Sequence, residues 1–152
     1  MKTISKIWGL IIVIIMSLAI SSCTKEDQYQ QNVIGVWKIS RIAITYYENG
    51  KEAETVEEVN YYDYYNFDFK SDGTLRVYFD EEVGGSPYPI TWKIENSKMI
   101  LKESFPDREA IEYALDIVEL TKSSMILSNT HNEYEMEGIH YKSVNKVSFT
   151  KK

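Results

Sequence analysis

The sequence predicts an all-β domain beginning near Val33: one antiparallel sheet of eight strands, wound up and down into a closed barrel. Three observations carry this. From Val33 onward, apolar and aromatic side chains alternate with polar ones in short runs, the period of two that sends one set of residues to one face of a strand. Aromatics make up 13% of the 152 residues, 12 of them tyrosine, and such side chains fit a pleated, half-buried surface. The runs are also closely spaced and joined by turn sequences. Neighbours therefore pair antiparallel, and a sheet of this length removes its exposed edges by closing on itself.

The first strand, Gly35 to Tyr47, changes phase. Trp37 and Ile39 share one face, whereas Ile42, Ile44 and Tyr46 fall on the other, which calls for a bulge near Ser40-Arg41. The acidic link that follows, residues 48–63, is expected to form a short helix or a lid over the barrel mouth. Next comes the clearest element. Tyr65, Phe67 and Phe69 alternate with Asn66, Asp68 and Lys70; Leu75, Val77 and Phe79 alternate with Thr74, Arg76 and Tyr78. Between them Asp72-Gly73 supplies the positive φ of a tight hairpin turn. Gly84-Gly85-Ser86-Pro87 marks a loop. Tyr88, Ile90, Trp92 and Ile94 then alternate with Pro89, Thr91, Lys93 and Glu95, and Asn96-Ser97 turns the chain into Met99-Ile100-Leu101. Ile111 to Leu120 is a long strand, turned by Thr121 to Ser124 into Met125-Ile126-Leu127. The last strand is His140 to Phe149, with Val147 and Phe149 inward.

The N-terminus reads as an address. Lys2 and Lys6 precede an apolar run, Ile7 to Ile20, within the 7–15 residues of a secretory h-region and short of the roughly 20 a spanning helix needs. Ile20-Ser21-Ser22-Cys23 resembles the lipobox of bacterial lipoproteins. The resemblance implies a signal peptide over 1–22 and a diacylglycerol on the Cys23 sulfur. A lipidated tether over 23–32, with Gln28 to Asn32 as its polar part, then leads to the barrel at 33–152. The implied partner of Cys23 is the bacterial outer membrane, each buried CH₂ of the anchor contributing about 0.8 kcal/mol. Cys-x-Lys-Glu-Asp over residues 23–27 resembles an export tag for lipoproteins carried to the cell surface, the alternative being a domain that faces the periplasm. With a single cysteine, the fold holds without disulfides.

Charge narrows the function classes. The formal charge is -6, and removing residues 1–22, which hold two lysines and no acid, makes it -8. Such a chain repels phosphates and is a poor nucleic-acid binder. It carries no phosphate loop, no G-x-S-x-G and no nucleophile with a recognisable base, so an enzyme is not expected, nor is a cofactor. Glu48, Glu52, Glu54, Glu57 and Glu58, and Asp80-Glu81-Glu82, lack calcium-loop spacing and read as solvated faces. His131 and His140 alone do not make a transition-metal site. Tyr61, Tyr62, Tyr64 and Tyr65 read as strand residues rather than a stacking rim.

Gly35-Val36-Trp37 resembles the G-x-W signature of lipocalins. The wider order (G-x-W-K, F-x-F-x-x-D-G-T over Phe67 to Thr74, W-x-I over Trp92 to Ile94, and Ile117 to Leu127) resembles the lipocalin-like domains of small bacterial lipoproteins. The resemblance implies a barrel whose Trp37 packs across the closed end. It departs at the last strand, where lipocalins place an arginine over that tryptophan and this chain offers Lys142 and Lys146. The inward set is Trp37, Tyr65, Phe67, Phe69, Leu75, Val77, Phe79, Ile90, Trp92, Ile94, Leu115, Ile117, Met125 and Leu127. From it Trp37, Tyr65, Phe67, Phe69, Leu75, Val77, Phe79, Trp92, Ile94 and Ile117 are the candidate lining of a cup for a small hydrophobic or amphipathic ligand. The competing reading is a filled barrel whose surface binds a protein or glycan, as part of a surface uptake system. Internal volume separates the two: pockets for drug-sized ligands start at about 300 Å³.

Overall fold

The structure, a computed structural model, describes residues 24–58, 65–79 and 88–152. The apolar N-terminal run with Cys23, the tyrosines at 61, 62 and 64, the acidic run at 80–82 and the loop at 84–87 lie outside the described residues. Those described form one helix, α1 (Lys25–Val33), and nine strands. The strands are β1 (Gly35–Glu48), β2 (Lys51–Glu58), β3 (Tyr65–Phe69), β4 (Thr74–Phe79), β5 (Ile90–Glu95), β6 (Lys98–Glu103), β7 (Ile111–Leu120), β8 (Ser124–Met136) and β9 (Ile139–Lys151). No helix among the described residues is long and apolar enough to cross a membrane.

Every strand pairs antiparallel with its sequence neighbour from β3 to β9, and β9 pairs back onto β1 over nearly its whole length. The other edge of β1 is shared. Its first residues, Gly35 to Lys38, pair with β3, and Ile42 to Glu48 pair with β2. β2 and β3 are thus successive parts of one stave, so the nine strands make the expected eight-stranded closed barrel. Between the pairs Ile42–Glu58 and Lys38–Asn66, β1 advances four residues and the β2–β3 chain eight.

The phase change in β1 is a register break between Ile39 and Arg41, where the sequence called for it. The bulge returns Ile42 and Ile44 to the face of Trp37 and Ile39, and Ser40 Oγ donates to the Ser148 carbonyl across the break, at 3.2 Å.

Where the acidic link is described, up to residue 58, it is neither helix nor lid. It is strand β2, joined to β1 by Asn49-Gly50 with φ of 49° and 77°, the two positive values of a tight hairpin turn. Arg41 pairs with Glu57, and Thr55 bonds to Thr45. Carboxylates suit this strand because, among the described residues, it pairs with β1 alone, and charge on an edge strand discourages pairing with another chain.

The stretch read as a polar tether is helical from Lys25 to Val33. Thr24 and Asp27 form a reciprocal capping box: Asp27 N donates to Thr24 Oγ1, and Thr24 N donates to the Asp27 carboxylate at 2.9 Å. The Thr24 hydroxyl, which donates to the same carboxylate at 2.8 Å, and then the Thr24 backbone N–H hold the Asp27 carboxyl below its usual range. The strands after β4 follow the sequence more closely. Asn96 and Ser97 turn β5 into β6 with φ of 51° and 60°. β8 runs well past its expected end, to a turn at Glu137-Gly138, whereas β9 (Ile139–Lys151) lies close to its expected bounds, His140 to Phe149.

Candidate functional site: the barrel floor and lumen

The short turns at 71–73, 96–97 and 121–123 gather at one end of the barrel, and the fully buried hydrophobic side chains gather with them. Val33, Trp37, Met99 and Met125 are 0% exposed, and Phe69, Leu75, Trp92, Ile94 and Leu120 complete the plug. α1 brings Val33 across this end, with Tyr29 packed beside it. The helix terminus is pinned from inside the barrel, because the Trp37 indole donates to the Val33 carbonyl at 2.7 Å.

The cation over Trp37 is neither Lys142 nor Lys146. It is Lys151, the last residue of β9, whose Nζ stands 5.0 Å from the Trp37 ring centroid and donates to the Asn32 carbonyl at 2.9 Å. Burial lowers the pKa of this amine. Gly35 makes the arrangement possible. Its φ is +128°, and a Cβ placed there would lie 2.6 Å from Lys151 Cε. The G-x-W pattern therefore has a local reason: the glycine clears a path for the lysine that caps the tryptophan two residues on.

The second tryptophan fixes the β3–β4 turn. Trp92 donates through its indole to the carbonyls of Lys70 and Thr74, both at 3.1 Å, and its ring meets Phe69 edge to face. Gly73 takes a φ of 83° in this turn. Asp72 accepts from Thr74 N and Oγ1, which holds its carboxyl below the usual range.

Above the floor the side chains no longer meet. A cavity of about 150 Å³ remains, lined by Phe67, Phe69, Leu75, Val77, Ile90, Leu101, Glu103, Tyr113, Leu115, Leu127 and Phe149. Its wall is apolar except at the rim, where Glu103 and Tyr113 sit.

The ten candidate residues therefore divide. Phe67, Phe69, Leu75 and Val77 line the lumen. Trp37, Trp92 and Ile94 belong to the sealed floor. Tyr65 and Phe79 meet at a tilt, with ring centroids 4.5 Å apart and Phe79 41% exposed, and Ile117 packs against the floor. Of the lining residues, Leu101, Glu103 and Tyr113 went unread in the sequence. Their signal was the period of two, since Met99, Leu101 and Glu103 share one face of β6, and Tyr113 shares that of Leu115 on β7.

Among the described residues no cluster of three or more histidine, cysteine or acidic side chains is placed to hold a metal ion. His140 instead faces Glu133, with Nε2 3.1 Å from the carboxylate.

An antiparallel eight-stranded barrel, plugged at one end and hollow and apolar toward the other, defines a class: small barrels whose interior either fills with side chains or holds one small ligand. The chain belongs to the lipocalin-like domain family, whose model matches residues 33–127. No curated protein and no solved structure matches it.

Proposed function

We propose that this chain is a membrane-anchored lipocalin-like lipoprotein that binds a small hydrophobic or amphipathic molecule in its barrel. The anchor is a lipid on Cys23, the site is the bacterial outer membrane, and the domain faces the cell surface. Binding rather than catalysis is the activity.

The observation that carries this reading is the lumen. A chain needing only a stable core would gain by filling that space, because side chains bordering a void lose their packing partners. Here Leu75, Val77, Ile90, Leu101 and Leu115 border a hollow instead. Its 150 Å³ is about half the lower bound of drug-sized pockets. The ligand is therefore small, or it inserts only an apolar end and leaves its polar end near Glu103 and Tyr113. The same small volume is what the competing reading, a filled barrel with a binding surface, would use.

Two experiments test the proposal. The protein is purified from its host and any co-purifying molecule sought by mass spectrometry, with melting temperature measured across a panel of short fatty acids, alcohols and aromatic compounds. A bound molecule or a saturable rise in melting temperature is expected; neither would defeat the ligand reading. For the anchor, Cys23→Ala releases the protein from the membrane fraction, and a variant that stayed attached would show that the lipid reading is wrong.

A further inference from the structure

A second cavity, of about 270 Å³, lies on the long strands and shares no lining residue with the lumen. Register assembles it from four strands. Ser143 on β9 stands opposite Tyr46 on β1 and Asn132 on β8, Tyr46 stands opposite Glu54 on β2, and Tyr134 opposite Tyr141. All six line the cavity.

Its chemistry contrasts with that of the lumen. The rings of Tyr134 and Tyr141 stack with centroids 5.3 Å apart and an interplanar angle of 21°. Tyr134 is 54% exposed and Tyr46 43% exposed, so aromatic surface is presented to an incoming molecule. Ser143 is only 4% exposed, and its Oγ has no hydrogen-bond partner among the described residues. Buried hydroxyls are almost always satisfied, so an orphan in a cavity wall marks a position for a ligand's polar atom. The amide of Asn132 and the carboxylate of Glu54 add groups that donate to and accept from hydroxyls. Among the described residues, the only aliphatic side chain in the lining is that of Ala53.

We infer that this ledge is a binding site for a sugar ring, with the tyrosines as the stacking surface and Ser143, Asn132 and Glu54 as partners for ring hydroxyls. An organic cation would also suit rings and carboxylates. Lys142 lines the same cavity, however, and opposes a cation, while the orphan hydroxyl and the amide favour a neutral polyol. The inference goes beyond the lumen reading and stands or falls separately from it.

The test is titration of the mature protein with maltose, cellobiose, galactose, mannose and N-acetylglucosamine, followed by calorimetry and by NMR, with tetramethylammonium as the comparison cation. At least one sugar binds saturably, in the millimolar range or tighter. Tyr134→Ala and Tyr141→Ala each weaken it by about tenfold, the scale of one aromatic contact. Ser143→Ala weakens it too, with the circular dichroism of all three variants unchanged. Absence of sugar binding overturns the inference, as does sugar binding that these variants leave intact, or binding of tetramethylammonium alone. Should a variant fail to fold, protection of the Tyr134 and Tyr141 ring resonances by sugar in the wild-type protein decides the question in its place.

Discussion

Replacing Gly35 by alanine probes how the closed end is built. The backbone there holds φ at +128°, and the new methyl would lie 2.6 Å from Lys151 Cε. Holding a residue other than glycine in a sparsely populated region of φ costs about 1–3 kcal/mol. The lysine stem must also swing aside, which loses the cation–π contact with Trp37, about 0.5–2 kcal/mol. Gly35→Ala should therefore destabilise the barrel by about 2–4 kcal/mol, a large part of the 5–15 kcal/mol typical of a folded domain. Lys151→Ala alone loses the ring contact and the bond to Asn32 while relieving an amine of its burial, a cost of about 1–2 kcal/mol. In the double variant no lysine remains to clash with the methyl, so the two effects sum to less than their parts, with a coupling of about 1 kcal/mol. Urea unfolding of the four proteins, read by tryptophan fluorescence, measures the cycle. Strict additivity, or a Gly35→Ala variant within about 0.5 kcal/mol of wild type, the ordinary scatter of neutral surface changes, would refute the reasoning.

Three more outcomes are expected. Trp37→Phe leaves the Val33 carbonyl without its 2.7 Å donor and should cost about 1–3 kcal/mol, with amide exchange in α1 accelerated relative to the strands. Gly50→Ala introduces no contact within 4 Å but forces alanine to a φ of +77°, so it should cost about 1–2 kcal/mol, and exchange in β1 and β2 should report it first. Asp72→Ala should destabilise the protein at neutral pH. Because the native carboxyl titrates below 3.8, its contribution is present above that pH and lost as the pH falls through the lowered value. Urea midpoints of variant and wild type therefore converge in acid, and a gap that stayed constant to pH 2 would show that the Thr74 bonds do not act through the carboxylate.

Much of the architecture was legible because alternation and turn chemistry agree. The β3–β4 hairpin needed only the facing triads and Asp72-Gly73, and the β1 bulge followed from a phase error between Ile39 and Ile42. Composition misled where local geometry had more to say. The acidic composition of residues 48–63 pointed to a short helix or a lid, yet Asn49-Gly50 is a strong hairpin signal and decided the outcome. Thr24-x-x-Asp27 is likewise a helix start within a stretch that polarity alone reads as a tether. Lys151 was beyond reach of pattern. Its part depends on the pairing of Lys151 at the end of β9 with Trp37, more than a hundred residues apart in the chain. The floor and the lumen could not be separated either, since both carry the same inward alternation. Which inward residues meet and which leave a gap is decided by packing across the barrel.

The most direct test of the account is whether a small apolar probe enters the lumen. A 150 Å³ apolar cavity of this kind suits xenon or benzene. In methyl-resolved NMR under xenon pressure or with benzene, saturable shifts should appear at Leu75, Val77, Ile90, Leu101 and Leu115, with the methyls of Met99 and Met125 in the floor unmoved. No saturable shift at any of the five, or shifts confined to the floor, would contradict a hollow apolar chamber above a sealed end.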